Sequence, residues 1–63
     1  MKITLKAARV NCGMTQTEAA KLIKVNPATL SKWEKGITFP KADQAARLCA
    51  IYGVTIDDIF FKM

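Results

Sequence analysis

Apolar residues recur at helical spacing along most of the chain, and glycine or proline interrupts them where a helix would have to stop. After a short lead from Met1 to Ile3, Thr4 can cap a first helix that carries Leu5, Ala8, Arg9 and Cys12 before Gly13 ends it. Thr15, followed three residues later by Glu18, predicts a capping box in which hydroxyl and carboxylate each satisfy a backbone donor, so a second helix opens at Thr15. Ala19, Ala20, Leu22 and Ile23 give it an apolar surface, and the alanines let another helix approach closely. This helix should fade near Lys24. Asn26 is a favoured N-cap and Pro27 stands where a missing N–H costs nothing, so a third helix follows almost at once. Leu30 and Trp33 face its core side, Ala28, Thr29, Ser31 and Lys32 are left on the other faces, and Gly36 supplies a terminating positive φ.

Beyond the loop of Ile37 to Phe39 and Pro40, a fourth helix is predicted from about Lys41 to Tyr52, with Ala42, Ala45, Leu48, Cys49 and Tyr52 toward the core and Gly53 at its end. Thr55 and Asp58 repeat the capping spacing. Ile56, Ile59, Phe60 and Phe61 would then form a short, very apolar last helix. The expected fold is all-α, with five short helices around one core. Residues 1–63 are expected to form a single domain, and a chain this small is marginally stable.

Charge sharpens this picture. Residues 1–41 carry eight basic and two acidic side chains, whereas residues 42–63 carry two basic and three acidic ones. The basic part is also the helix, turn, helix part, an arrangement that suits a polyanion; the alternative is a face that serves only solubility. Cys12 and Cys49 lack a CxxC spacing and the chain has no histidine, so neither a zinc site nor a disulfide framework is expected. Asp57 and Asp58 are read as capping and dipole residues, since no further ligand lies near them in sequence. No metal, cofactor or small-molecule ligand is expected. An enzyme is not expected either, because nothing pairs a nucleophile with a base and no glycine loop could hold phosphate. No apolar run approaches bilayer length and no signal-like segment opens the chain, so no membrane association is expected and the location should be cytoplasmic.

The stretch Thr15 to Gly36, with the motifs GMTQTEAA and NPATLSKWEKG, then Pro40 and the closing YGVTIDDIF, resembles the phage repressor and Cro (Xre-type) helix-turn-helix proteins. The likeness runs from about Leu5 to Phe60. It implies a lambda-repressor-like DNA-binding fold whose second and third helices form the helix-turn-helix, with the third helix presented to the major groove of double-stranded DNA. On this basis Asn26, Ala28, Thr29 and Lys32 are candidate base-contacting residues. Lys32 suits guanine O6 and N7, Ala28 and the methyl of Thr29 suit a thymine methyl, and Asn26 suits adenine if capping leaves it free. Lys32 could equally contact phosphate.

Thr15, Gln16, Lys35, Thr38 and Lys41 are the candidate phosphate contacts, which set register without reading sequence. Gln16 could also brace the third helix. The family further implies a largely buried ion pair between Arg9 and Glu34, in place of a phosphate role for Arg9. Many relatives have glycine where this chain has Lys24, because that turn position is left-handed. Trp33 could stack on a base, but its spacing favours the core. The family also implies a dimer contact at the apolar end, assigned to Ile56, Phe60 and Phe61, with Met63 as a further exposed candidate. The expected function is a small repressor that binds a palindromic operator as a homodimer. The alternative is a protein-interaction module on the same fold, such as an antitoxin or an antirepressor-like partner.

Overall fold

The computed structural model describes residues 2–60, the side chain of Phe60 excepted. Along these residues the chain forms β1 (Ile3–Thr4), α1 (Leu5–Asn11), α2 (Gln16–Ile23), α3 (Pro27–Lys35), α4 (Ala42–Tyr52), a single 3₁₀ turn (Ile56–Asp58) and β2 (Ile59–Phe60). The four helices start on local signals. Thr4 Oγ1 accepts from Ala7 N–H at 3.1 Å, Thr15 and Glu18 close a full capping box, and Asn26 Oδ1 accepts from Ala28 N–H at 2.8 Å with Pro27 next in line. At α4 the Lys41 N–H donates to Gln44 Oε1 at 2.9 Å.

The helices end alike. Met14, Val25, Ile37 and Val54 each donate a backbone N–H to the carbonyl five residues earlier, and the residue before each has positive φ. Three of those residues are glycine. The fourth is Lys24, at φ 61 and ψ 45, where a side chain crowds the following carbonyl and costs about 1 kcal/mol or more.

Leu5, Ala8, Ala19, Ala20, Ile23, Leu30, Trp33, Leu48, Cys49, Tyr52 and Ile59 form the buried cluster, and Ile3, Met14, Val25, Ile51 and Val54 pack on its rim. Ala19 and Ala20 are wholly buried, where small side chains allow α3 and α4 to lie close to α2. Trp33 is buried in this core and presents no free ring face for stacking.

Four sequence expectations are corrected. No fifth helix forms: the Thr55 and Asp58 cap, with Thr55 N–H and Oγ1 both donating to Asp58 Oδ2 at 3.0 and 2.9 Å, closes only the 3₁₀ turn. Ile59 then turns extended at φ −92 and ψ 129, and β2 pairs parallel with β1, Ile3 against Ile59 and Thr4 against Phe60. A helix of so few β-branched residues nucleates poorly, whereas the strand pairing supplies backbone partners and buries Ile59. Leu22 is 54% exposed because it lies roughly 100° round the helix from Ile23 and misses the α2 stripe. Ala42 is exposed because the first turn of α4 runs past the core that Ala45, Leu48, Cys49 and Tyr52 meet. Cys12 is also exposed; it follows the end of α1, and its thiol donates to the Tyr52 carbonyl at 3.1 Å. Among the described residues no helix is long and apolar enough to cross a membrane.

Candidate nucleic-acid interface

Lys24, Val25 and Asn26 join α2 to α3, so two short helices meet through a three-residue turn. The left-handed Lys24 reverses the chain, and the Asn26 cap with Pro27 starts α3 immediately. Leu30 and Trp33 bury one side of α3. Ala28, Ser31, Lys32 and Lys35 fall at the helical positions i, i+3, i+4 and i+7, a single stripe on the opposite side. Ala28, Lys32 and Lys35 are exposed and Ser31 is half-buried. Thr29 lies off this stripe toward Trp33 and is half-buried. Asn26 is exposed, but its Oδ1 is held by the cap, which leaves only its amide N–H groups for a ligand.

Glu34, half a turn from Lys32, faces back toward α1 and α2. Arg9 Nε donates to Glu34 Oε2 at 2.8 Å and Arg9 Nη2 to Oε1 at 3.3 Å, a two-pronged pair whose side chains are 9% and 3% exposed. Arg9 Nη1 donates to the Met14 carbonyl at 2.8 Å, which ties the end of α1 to the same knot. The hydrogen bond to Glu34 is the main reason the guanidinium holds its proton even more firmly than usual. Gln16 Nε2 donates to Glu34 Oε1 at 2.9 Å. One carboxylate on α3 is therefore gripped from α1 and α2 at once, which fixes the presentation of the exposed stripe.

Tyr52 lies close enough to this knot to feel its charges. Its hydroxyl is buried without a partner among the described residues, and burial, ahead of the Glu34 charge, pushes its pKa up to about 12.

Thr15, Lys35, Thr38 and Lys41 are exposed and Gln16 is half-buried. Thr15 is committed to its capping box, and its backbone N–H, donating to Glu18 Oε1 at 2.9 Å, is the first cause and its side chain the second that hold the Glu18 carboxyl below the ordinary glutamate range. A cleft of about 180 Å³ opens where the helices converge, lined by Lys6, Gln16, Ser31, Glu34 and Lys35. Sequence reasoning assigned no role to Lys6 or Ser31. The signal for both was helical spacing: Lys6 is one turn before Arg9, and Ser31 completes the stripe of Ala28, Lys32 and Lys35. Ile56, an expected dimer residue, is 50% exposed, while the side chain of Phe60 and all of Phe61 and Met63 lie outside the described residues.

A short basic helix set across a second helix, braced from behind by a buried ion pair, defines a helix-turn-helix protein of the DNA-binding type. A family model described as helix-turn-helix matches residues 5–59, and the chain belongs to that family, the Xre- and Cro-like proteins. No curated protein and no solved structure matches the chain.

Proposed function

We propose that this chain is a small phage-type repressor that binds a palindromic operator as a homodimer. The observation that carries the reading is the α3 stripe of Ala28, Ser31, Lys32 and Lys35, which points away from the Leu30 and Trp33 side and is held there by the Glu34 knot. The family supplies the partner, duplex DNA. With α3 in the major groove, Asn26, Ala28, Thr29 and Lys32 meet base edges, the half-buried Thr29 through its outer methyl at most. Thr15, Gln16, Lys35, Thr38 and Lys41 meet the sugar-phosphate backbone.

This set is poor in the amide and guanidinium groups that read bases most strongly, so base discrimination is modest and phosphate contacts dominate affinity. A single module of this kind buries only about 600–1,000 Å² on DNA, which makes two copies on half-sites roughly 10 base pairs apart the useful form. Ile56, with the Phe60 and Phe61 end, supplies the contact between copies.

The test is selection from a random-sequence duplex library at two salt concentrations, comparing the chain with Lys32→Ala. A palindromic consensus that loses preference at one position per half-site in Lys32→Ala supports the reading. Binding that falls with salt but enriches no sequence contradicts it, and directs attention to a protein partner for the Ile56 end.

A further inference from the structure

Among the described residues, Val10, Leu22, Ile37, Phe39 and Ile56 are the large apolar side chains left on the surface. Val10, Leu22 and Ile56 each sit on a separate element, as scattered surface apolar residues commonly do. Ile37 and Phe39 differ. They share the short loop between α3 and α4, two positions apart, and are 64% and 49% exposed. Lys35 and Lys41 flank them, both exposed and neither in an ion pair among the described residues.

The loop presents these side chains in a fixed way. Ile37 donates its backbone N–H to the Lys32 carbonyl at 2.9 Å, which ties it to the end of α3, and Pro40 confines Phe39 to extended conformations. Anchors already in place lose little freedom on docking. The duplex-binding reading gives roles to Lys35, Thr38 and Lys41 but none to Ile37 and Phe39, since phosphates reward charge and not apolar surface. A second copy of the chain is a poor mate. Its net charge is +5, Glu34 is buried in its ion pair, and Glu18 and Asp58 are engaged by their caps, which leaves Asp43 and Asp57 as the uncommitted carboxylates.

We propose that the loop between α3 and α4 docks an acidic segment of another protein, with Ile37 and Phe39 as apolar anchors and Lys35 and Lys41 paired with its carboxylates. Both lysines are also assigned to the duplex backbone, so segment and duplex exclude one another, and docking releases the protein from DNA. The docking stands on the loop itself; the release alone rests on the duplex-binding reading above.

The experiment is fluorescence anisotropy with two labelled peptides of equal length, oligoglutamate and the same chain with two leucines placed two positions apart. It compares the parent chain, the double variant Ile37→Ser with Phe39→Ser, and the control Val10→Ser with Leu22→Ser. Ile37 and Phe39 lie outside the core cluster, so the double variant keeps its fold, which the thermal midpoint checks. The expected result is that the parent and the control bind the leucine peptide about tenfold tighter than oligoglutamate, although it carries fewer charges, and that a duplex displaces it. The double variant loses that preference and retains duplex binding. Equal affinity for the two peptides, a preference that survives in the double variant, or one lost equally in the control overturns the docking. Binding to anionic phospholipid vesicles that depends on Ile37 and Phe39, without a peptide preference, overturns it in favour of a lipid surface. Peptide and duplex bound together overturn the release. A parent chain that prefers the leucine peptide yet binds no duplex removes the functional reading and the release, and leaves the docking in place.

Discussion

Breaking the Arg9–Glu34 pair from one side should nearly unfold the protein, and breaking it from both sides should not. Glu34 is 3% exposed at its side chain, and of its three hydrogen bonds two come from Arg9. Arg9→Ala leaves a buried carboxylate with the Gln16 amide alone, a loss of roughly 3–5 kcal/mol. A chain of this length has about 3–9 kcal/mol of total stability, so the variant should melt more than about 12 °C lower. Glu34→Gln keeps the shape but strands the buried Arg9 guanidinium and sets an amide NH2 against a donor, so it should also cost roughly 3–5 kcal/mol.

Arg9→Met with Glu34→Met removes both charges and fills the space with apolar atoms. It should recover most of the loss, because the desolvation of two ions disappears with their attraction. Urea unfolding followed by the fluorescence of Trp33, the sole tryptophan and a core residue, measures all of these. The reasoning is refuted if Arg9→Ala costs under about 1 kcal/mol, or if the double variant costs the sum of the two singles.

Lys24→Gly should stabilise the fold by about 0.5–1 kcal/mol, since it relieves the left-handed conformation at φ 61; a lower urea midpoint would contradict the strain. Tyr52 ionises near pH 10 when unfolded and at about 12 when folded, so the folded state binds the phenolic proton more tightly. Its contribution is complete below pH 10 and is lost as pH climbs through 12, by roughly 3 kcal/mol in all, and Tyr52→Phe should flatten the alkaline limb of a stability-against-pH curve. Glu18 and Asp58 act in the opposite sense: their folded pKa values are depressed by hydrogen bonds from Thr15 and Thr55, so their contribution is present above the ordinary carboxylate pKa and is lost as pH falls through the folded values. Glu18→Gln should therefore lessen the acid sensitivity, read as the same midpoint at falling pH. Ile56→Lys should leave the thermal midpoint nearly unchanged, because Ile56 is half exposed, while shifting sedimentation toward monomer; an unchanged sedimentation profile of a dimeric parent would remove Ile56 from the interface.

The helix starts were legible in the sequence because each is a local signal: Thr4, the Thr15 and Glu18 box, and Asn26 with Pro27 need no distant partner. Leu30 and Trp33 were legible from period alone. The last segment was misread because its Thr55 and Asp58 cap is genuine but local, whereas the outcome was decided by Ile3, more than fifty residues away, which offers Ile59 a strand partner. Leu22 and Ala42 were misplaced because periodicity says which residues share a face but not how far the core extends beneath it. In the site, the exposure of Ala28, Lys32 and Lys35 was legible from helical period and the Arg9–Glu34 pair from the resemblance, whereas Ser31 was not singled out. The capping demand on the Asn26 oxygen, the half-burial of Thr29 and the convergence of Lys6 with Lys35 needed three dimensions, since each depends on how one helix sits against another.

The claim on which the account turns is that α3 and the start of α2 face the duplex. Titration of the ¹⁵N-labelled protein with a short duplex, followed by amide chemical shifts, tests it residue by residue. The account predicts the largest changes from Asn26 to Lys35, at Gln16 and Thr17, and in the Thr38 to Lys41 loop, with the outer face of α4 around Arg47 silent. Changes confined to the Ile56 to Phe60 end, or no changes at all with duplex in excess, would contradict it.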